Sequence, residues 1–442
     1  MKISQLLRHK FLRDTGTLQM GAILVAGGNF LSAAGLAFLL GAAKQGEFYV
    51  AVSLYSLLWF LVNLGLVSVT VSKVSAALAC KEHDEAASWL AYLLKAYLVL
   101  GIIVAIAAWL ILPWAAVEVF DTRREVGVFA ALLALTPIVE LPRIVALAGL
   151  QATRRMLPLT QVENGSELSR VFLVLLGALL TNDLRGPVIG SLIAAGLGSF
   201  LALDLYAREC RAVALLPRPR QILRHFRDVP LRKGLPLGVR MGAVQNINAL
   251  GTQILPTLLL QYFGSSTWVA YLRIGQRIMN VPLMFMQAIN RTVLPMFSEF
   301  AGQKDMRRVC TSYFRTSLFS GLSIGAGMLA ILPLLPWVLQ KTFPADYVDP
   351  VWTICLILTP GFLVVAFSIA NDTFYLVTGT LRVGIIFSVV GAVLSITAVA
   401  LLAWRYPTVG VAWGLTVTMF WSLWHPAYAF YWYRKNVVAK GL

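Results

Sequence analysis

Charge is scarce in this sequence. Only 13% of its 442 residues are Asp, Glu, Lys or Arg, about half the ~25% of a soluble domain. A water-facing surface cannot be built from such a composition, which excludes a soluble enzyme or scaffold. Acids are scarcer than bases, 20 against 37, for a net charge of +17. The four cysteines (Cys80, Cys210, Cys310, Cys355) are scattered, and histidine also occurs only four times. Neither residue falls in a metal-ligand spacing, which argues against a metalloenzyme. A Walker A motif is missing, so the chain brings no ATP-hydrolysing loop of its own. The alternating pattern of a transmembrane barrel is absent too.

What fills the sequence is apolar length. Hydrophobic residues make up 58% of the chain and the mean hydropathy is +0.75. Crossing a ~30 Å hydrocarbon core takes about 20 helical residues. Runs that meet this are 15–40, 47–72, 88–113, 126–150, 160–181, 187–207, 236–263, 270–297, 308–335, 347–377, 382–404 and 408–432. Each must satisfy its own backbone hydrogen bonds in lipid, so helices are the expected element. The expectation is an all-α integral membrane protein of twelve transmembrane helices. The first run exceeds the 7–15 residues of a signal-peptide core and reads as a retained first span.

A net positive charge suggests nucleic acid, but its distribution argues against that partner. With the N-terminus placed inside, 23 Lys and Arg fall in inside segments and six outside: Lys44, Arg123, Arg124, Arg185, Lys341 and Arg405. This is the positive-inside bias of a multi-pass membrane protein and favours both termini in the cytoplasm. The outside connections are short, the longest lying near 114–125. They leave no room for the outer loop of a membrane polymerase or ligase.

The longest charged connection divides the chain into 1–207, a linker at 208–235, and 236–442. Within the linker Pro217 and Pro219 are poor helix starters. From Gln221 onward Ile222, Leu223, Phe226 and Val229 share a face, the pattern of a basic helix lying in the membrane interface. Landmarks recur between the two halves. Val50-Ala51 parallels Val269-Ala270, Lys73 parallels Arg291, Pro113-Trp114 parallels Pro336-Trp337, and Pro137 parallels Pro360. Two six-helix halves of equal orientation are the parallel-repeat arrangement of transporters, whose substrate site lies between the halves.

An ionisable residue at mid-bilayer is costly and marks a pathway or a buried pair. In the eighth run Arg273, Gln276, Arg277, Asn280, Gln287 and Arg291 lie within about 60° of one direction at 100° per residue. Such a stripe must face water, acids of another helix, or an anionic ligand, and the guanidinium fork suits phosphate. A competing reading has Arg273 and Arg291 reaching opposite headgroup layers. Arg240 opens an unusually polar seventh run, where cavity lining and snorkelling compete equally. In the fourth and fifth runs Glu140, Arg143, Glu163, Glu167 and Arg170 read as an ion-pair network, Glu167 with Arg143 for example. The sharper reading makes Glu140 or Glu167 titrate during proton or sodium coupling. Asp372, beside Asn371, is the corresponding candidate in the second half. His425 reads as a packed histidine. Pro137, Pro142, Pro256, Pro282 and Pro360 are bend points or static kinks.

The stretches Phe11-Leu-Arg-Asp-Thr15, Leu31-Ser-Ala-Ala-Gly35, Gly46-Glu-Phe-Tyr49 and Asn63-Leu-Gly-Leu-Val67 resemble the opening of bacterial polysaccharide flippases. So does the polar turn Lys81–Glu85, echoed at Gly302–Asp305. These flippases belong to the multidrug/oligosaccharidyl-lipid/polysaccharide (MOP) exporter superfamily. The resemblance implies two six-helix lobes around a cavity lined by spans one, two, seven and eight. It implies polyprenyl-diphosphate-linked oligosaccharides as substrates and the bacterial inner membrane as location. By helix position it carries the diphosphate-binding role onto Arg240, Arg273, Arg277 and Arg291, with Asn280 and Gln287 as polar lining. Membrane lipids and other polysaccharide assembly proteins are the expected partners, and no cofactor beyond a proton or sodium gradient is implied. The lipid II branch differs at Leu36–Leu39, which is wholly apolar here. The alternative within the fold is a cation-coupled small-molecule exporter, which an acid-lined cavity would favour.

Overall fold

The computed structural model describes the backbone of residues 3–153, 155–212, 216–303, 305–368 and 370–438. Within them it describes side chains from Gly21 onward, apart from those at 22, 79, 237, 240, 241, 243–245, 248, 284–292, 294, 295, 298, 299 and 302. All regular structure in the described residues is helical. Two compact units divide the chain, Met1–Asn246 and Ile247–Leu442.

The first unit begins with α1 (Ile3–Trp59), which is two rods rather than one. They meet at Gly41, whose φ of +72° ends the first run and starts the second. A break at 60–65 separates the second rod from α2 (Leu66–Ala79). Next come α3 (His83–Glu118), α4 (Arg124–Leu133), α5 (Thr136–Val139) and α6 (Leu141–Ala152). The fourth apolar run therefore folds as three pieces and bends by 43°. Pro137 and Pro142, in the first turns of α5 and α6, supply no N–H and start new helices there. Then α7 (Met156–Thr181) and α8 (Arg185–Ala212) form a close hairpin. A Cβ on Gly177 would lie 2.2 Å from the Gly186 carbonyl oxygen, and one on Gly190 2.3 Å from that of Leu173. Backbone therefore meets backbone, and dispersion between small residues replaces the hydrophobic effect that lipid cannot supply.

Polar contacts tie the loops at opposite ends of this unit. At one end Arg123 pairs with Glu47, and Lys44 Nζ donates to the Asn182 carbonyl at 2.8 Å. At the other, Arg155 Nε donates to Glu209 at 2.6 Å, and Ser75 Oγ to the Ala152 carbonyl at 3.1 Å. The linker is strapped to this second end. Its helix α9 (Pro219–His225) starts at Pro219, not after it, because a first-turn residue needs no N–H donor. The Arg218 N–H is taken up by Gln221 Oε1 at 2.8 Å. Ile222 and Val229 are buried against α3, whereas Leu223 is 63% exposed, so the four apolar residues do not share one environment. Lys95 Nζ donates to the carbonyls of Arg227 and Val229, at 3.0 and 2.9 Å. Lys233 Nζ reaches Ser88 Oγ at 3.0 Å and lies over the Trp89 ring. Burial there holds the Lys233 ammonium below the usual lysine range, with Glu85 opposing.

Helix α10 (Leu235–Ala249) starts in the first unit. Its Gly238 and Gly242 press on the turn Leu64–Gly65, where a Cβ on Gly242 would sit 2.5 Å from the Gly65 nitrogen. Asn246 Nδ2 donates to the Asn63 carbonyl at 2.5 Å. One helical turn of small residues, Gly-x-x-x-Gly, lets the chain approach this closely.

The second unit takes over at Ile247. A π-helical turn (Leu250–Ile254) leads into α11 (Leu255–Phe263), followed by α12 (Ser266–Gly302) and α13 (Met306–Ile331). Then come α14 (Leu335–Thr342), α15 (Ala345–Ala366), α16 (Asn371–Val377) and α17 (Leu381–Arg405). The unit closes with α18 (Gly410–Met419) and α19 (Trp424–Tyr433). Its aromatic core centres on Tyr313, Phe374 and Tyr375. His425 Nδ1 sits 2.8 Å from the Tyr375 hydroxyl, among Phe387 and Tyr375, as a packed histidine.

A shared turn geometry links the two units. Glu82, Arg155 and Asp305 have φ/ψ of −89/74°, −85/70° and −86/71°. Each N–H bonds the carbonyl five residues back, at 2.9 Å, and Thr380 does the same to Tyr375. This is the Schellman closure of a helix C-terminus. Each turn leads straight into another helix (α3, α7, α13 and α17).

Six helical stretches among the described residues are long and apolar enough to cross a membrane, and the bent α4–α6 run makes seven. Helices α7 and α12 have the length, 26 and 37 residues, but not the hydropathy. These two carry Glu163, Glu167, Arg170 and the arginine stripe.

Candidate functional site

Helix α12 presents two contrasting faces. On one, Tyr271, Leu272, Ile274, Gly275 and Met279 are buried. Tyr271 packs edge-on to Tyr347 at 5.2 Å between ring centres, and a Cβ on Gly275 would stand 2.7 Å from Ile354. This side is pressed onto α15. Gly275 is two residues from Arg273, about 200° around the helix. Arg273 and Arg277 thus lie on the side away from α15, half-buried, with Asn280 exposed. One helical turn, about 6 Å, separates the two guanidinium stems. No Asp or Glu occurs between Ser266 and Phe297. The side chains of Arg240, Gln287 and Arg291 lie outside the described residues.

Gln276 has another job. Its Nε2 donates to the Thr252 carbonyl at 3.2 Å. Pro256 lacks the N–H that would bond the carbonyl four residues back, and its ring crowds that oxygen. The chain widens into the π turn Leu250–Ile254, a common response to such a conflict. The freed carbonyls then find side-chain donors: Gln276 on Thr252, and Ser395 Oγ of α17 on Gly251 at 2.8 Å. Gln276 therefore clips α12 to the bulge of the preceding span. The signal was present in the sequence, as a proline four residues after Thr252, but helical periodicity alone does not expose it.

The carboxylates of the first unit are arranged differently from expectation. Glu167 does not pair with Arg143. It pairs with Arg170 on its own helix, Arg170 Nε to Glu167 Oε2 at 3.0 Å. Asn29 of α1 closes the set, donating to Glu167 Oε1 at 3.0 Å and accepting from Arg170 Nη2 at 2.9 Å. Arg143 instead holds Glu140 at 2.7 Å, an i,i+3 pair just after the α5–α6 bend. The local partners win because the i,i+3 reach is built into the helix. Both carboxylates are thus held by arginines in this conformation. Asp372 is exposed in the first turn of α16, where a carboxylate suits the helix N-terminus. The buried polar neighbour is Asn371, whose Oδ1 accepts from the Tyr313 hydroxyl at 2.7 Å.

A family model described as polysaccharide biosynthesis protein matches residues 11–301. The chain belongs to this family. No protein of curated function matches it in sequence. Its fold is that of the MOP exporter superfamily. A structure of lipid II flippase MurJ in an inward closed conformation superposes with a TM-score of 0.72 at 14% identity, over 93% of this chain and 87% of that one. An inward-facing multidrug resistance MATE family transporter of the MOP superfamily gives 0.69 at 15%, over 93% and 96%. A MOP superfamily transporter from Pyrococcus furiosus, described as having a binding pocket of reverse polarity, gives 0.65 at 15%, over 97% and 95%. The family member described here is therefore a multi-pass membrane protein whose structural relatives are transporters and a flippase.

Proposed function

We propose that this protein flips a polyprenyl-diphosphate-linked oligosaccharide across the bacterial inner membrane by alternating access, for export of a surface polysaccharide. In this reading all twelve apolar runs span, both termini are cytoplasmic, and the units are parallel-repeat six-helix lobes. The recurrent Schellman turns and the excess of basic residues in the inside segments support that topology.

The observation that carries the reading is the cationic side of α12. Arg273 and Arg277 stand one turn apart on the side turned from α15, beside exposed Asn280, on a helix without acid until Glu299. A diphosphate needs charge-assisted donors, and two guanidinium groups supply forks for it. Arg240 and Arg291 extend the same role by helix position, and Asn280 and Gln287 are the polar residues assigned to the sugars. Transport draws on a proton or sodium gradient, with Glu140, Glu167 and Asp372 as the coupling candidates, or on consumption of the product. Other assembly proteins receive the glycan.

The test is transport of a fluorescent polyprenyl-diphosphate disaccharide in proteoliposomes. Loss of one charge-assisted bond, about 1.5–3 kcal/mol, weakens binding by about 10- to 100-fold. Arg273→Ala and Arg277→Ala are each expected to slow flipping by that order at sub-saturating lipid. Wild-type rates in both variants would overturn the docking site. A second reading, a cation-coupled exporter, is favoured by the half-buried Glu167 with its Asn29 and Arg170 partners. It would show as gradient-driven movement of small organic cations and none of the lipid.

A further inference from the structure

Past Arg308 at its edge, Arg315 is the one arginine inside the ninth apolar run, and no role above uses it. It is exposed on α13, and neither α13 nor α19 contains Asp or Glu. Among the described residues Arg315 has no ion pair. It lies where two surface troughs meet. One, of about 580 Å³, runs between α13 and α19 and is lined by Thr311, Phe314, Phe430 and Tyr433. The other, of about 500 Å³, continues along α13 past Phe319 and Leu322. Arg315 and Leu318 line both.

The order of residues along this face follows the order of a lipid. Arg308, Thr311, Arg315, Phe319 and Leu322 follow at steps of three, four, four and three, and so share one side of the helix. Arg308, paired with Asp305 at 3.2 Å, marks the polar end. Arg315 stands about 10 Å further in. Beyond it Leu318, Phe319, Leu322 and Leu329 are exposed, Phe319 to 71%. At the polar end of α19, Arg434 lies over the Phe430 ring. An arginine this deep, beside an apolar trough, calls for an anion that arrives with its own apolar chains.

We propose that the trough between α13 and α19 binds one anionic phospholipid of the cytoplasmic leaflet. Its phosphate sits on Arg315 and its acyl chains lie along Phe319 and Leu322. The site is independent of the substrate reading, since none of its residues belongs to the α12 stripe.

The test is native mass spectrometry of the purified full-length chain titrated with phosphatidylglycerol or phosphatidylcholine. The wild type is expected to take one phosphatidylglycerol in preference to phosphatidylcholine. One basic residue near a membrane surface is worth about fivefold in anionic-lipid binding. Arg315→Leu should lose about that preference, Arg315→Lys should keep most of it, and Arg405→Leu, an exposed arginine on α17, should leave it intact. An absent preference, or one unchanged in Arg315→Leu, overturns the proposal. So does Arg315-dependent binding of polyprenyl phosphate without binding of phosphatidylglycerol, which would hand the trough to the substrate's tail.

Discussion

Gly65 and Gly379 both hold a left-handed turn and have opposite surroundings, which makes them a matched pair. Their φ values are +69° and +70°. Alanine in the left-handed region costs about 1–2 kcal/mol wherever it is placed. A Cβ on Gly379, which closes the Schellman turn at Thr380, meets nothing within 4 Å, so Gly379→Ala should cost only that. A Cβ on Gly65 would lie 2.6 Å from the Gly242 nitrogen and 2.8 Å from the Gly238 oxygen. Both are backbone atoms and cannot rotate away, so overpacking adds about 1–3 kcal/mol. Gly65→Ala is therefore expected to melt below Gly379→Ala by about 2–10 °C, taking a few degrees per kcal/mol for a unit of this size.

Thermal unfolding of the purified protein in detergent, followed by the surviving monodisperse fraction, measures this. Gly242→Ala supplies the reciprocal contact, since its Cβ would press on Gly65 and Leu64 from a helical conformation. The double variant should be less destabilised than the two singles combined, because both relieve one contact. Equal melting of Gly379→Ala and Gly65→Ala would refute the close approach of α10 to the turn at Gly65. Strict additivity of Gly65→Ala and Gly242→Ala would refute the shared contact.

Three further outcomes follow from the same geometry. Glu167→Leu should destabilise by about 1–3 kcal/mol, less than a fully buried pair because Arg170 keeps 40% of its side-chain surface, and Glu167→Leu with Arg170→Met should recover most of it. A double variant melting below the single one would contradict the ion-pair assignment. Gln276→Leu strands the Thr252 carbonyl and should lower stability by about 1–3 kcal/mol, whereas unchanged melting would show that the bulge does not need it. Cys80 is exposed and Cys210, Cys310 and Cys355 are buried, the Cys210 thiol being pushed up by burial, so an impermeant maleimide should label one thiol per native chain. Labelling of inside-out but not right-side-out vesicles would place the α2–α3 turn in the cytoplasm; the reverse would invert the proposed topology.

The helices were legible because their signal is long and cumulative. Each apolar run lies largely on helix among the described residues, and the two prolines of the fourth mark its bend. The break at 60–65 was not legible, although Asn63-Leu-Gly-Leu stands out as a motif. Its structural meaning is a landing site for Gly238, Gly242 and Asn246, residues about 180 positions away. Periodicity sees neighbours on one helix, and no local pattern announces so distant a partner. The linker shows the same limit: Ile222 and Leu223 are adjacent and equally apolar, yet only Ile222 meets α3.

The candidate site divides along the same line. The 100° step puts Arg273, Arg277 and Asn280 on one side of α12, opposite the face buried against α15. What each polar residue does depended on what stands across from it. Gln276 shares the stripe's direction within 60° and still serves structure, because Pro256 on another span leaves the Thr252 carbonyl without its backbone donor. Glu167 reaches Arg170 rather than Arg143 because Arg170 is one turn away on the same helix and needs no tertiary placement. Stripe membership is therefore a weak guide to role within the membrane. A polar side chain there goes first to the nearest backbone or charge that the fold leaves unpaired, and the arginines' claim on a diphosphate rests on α12 offering them no acid of its own before Glu299.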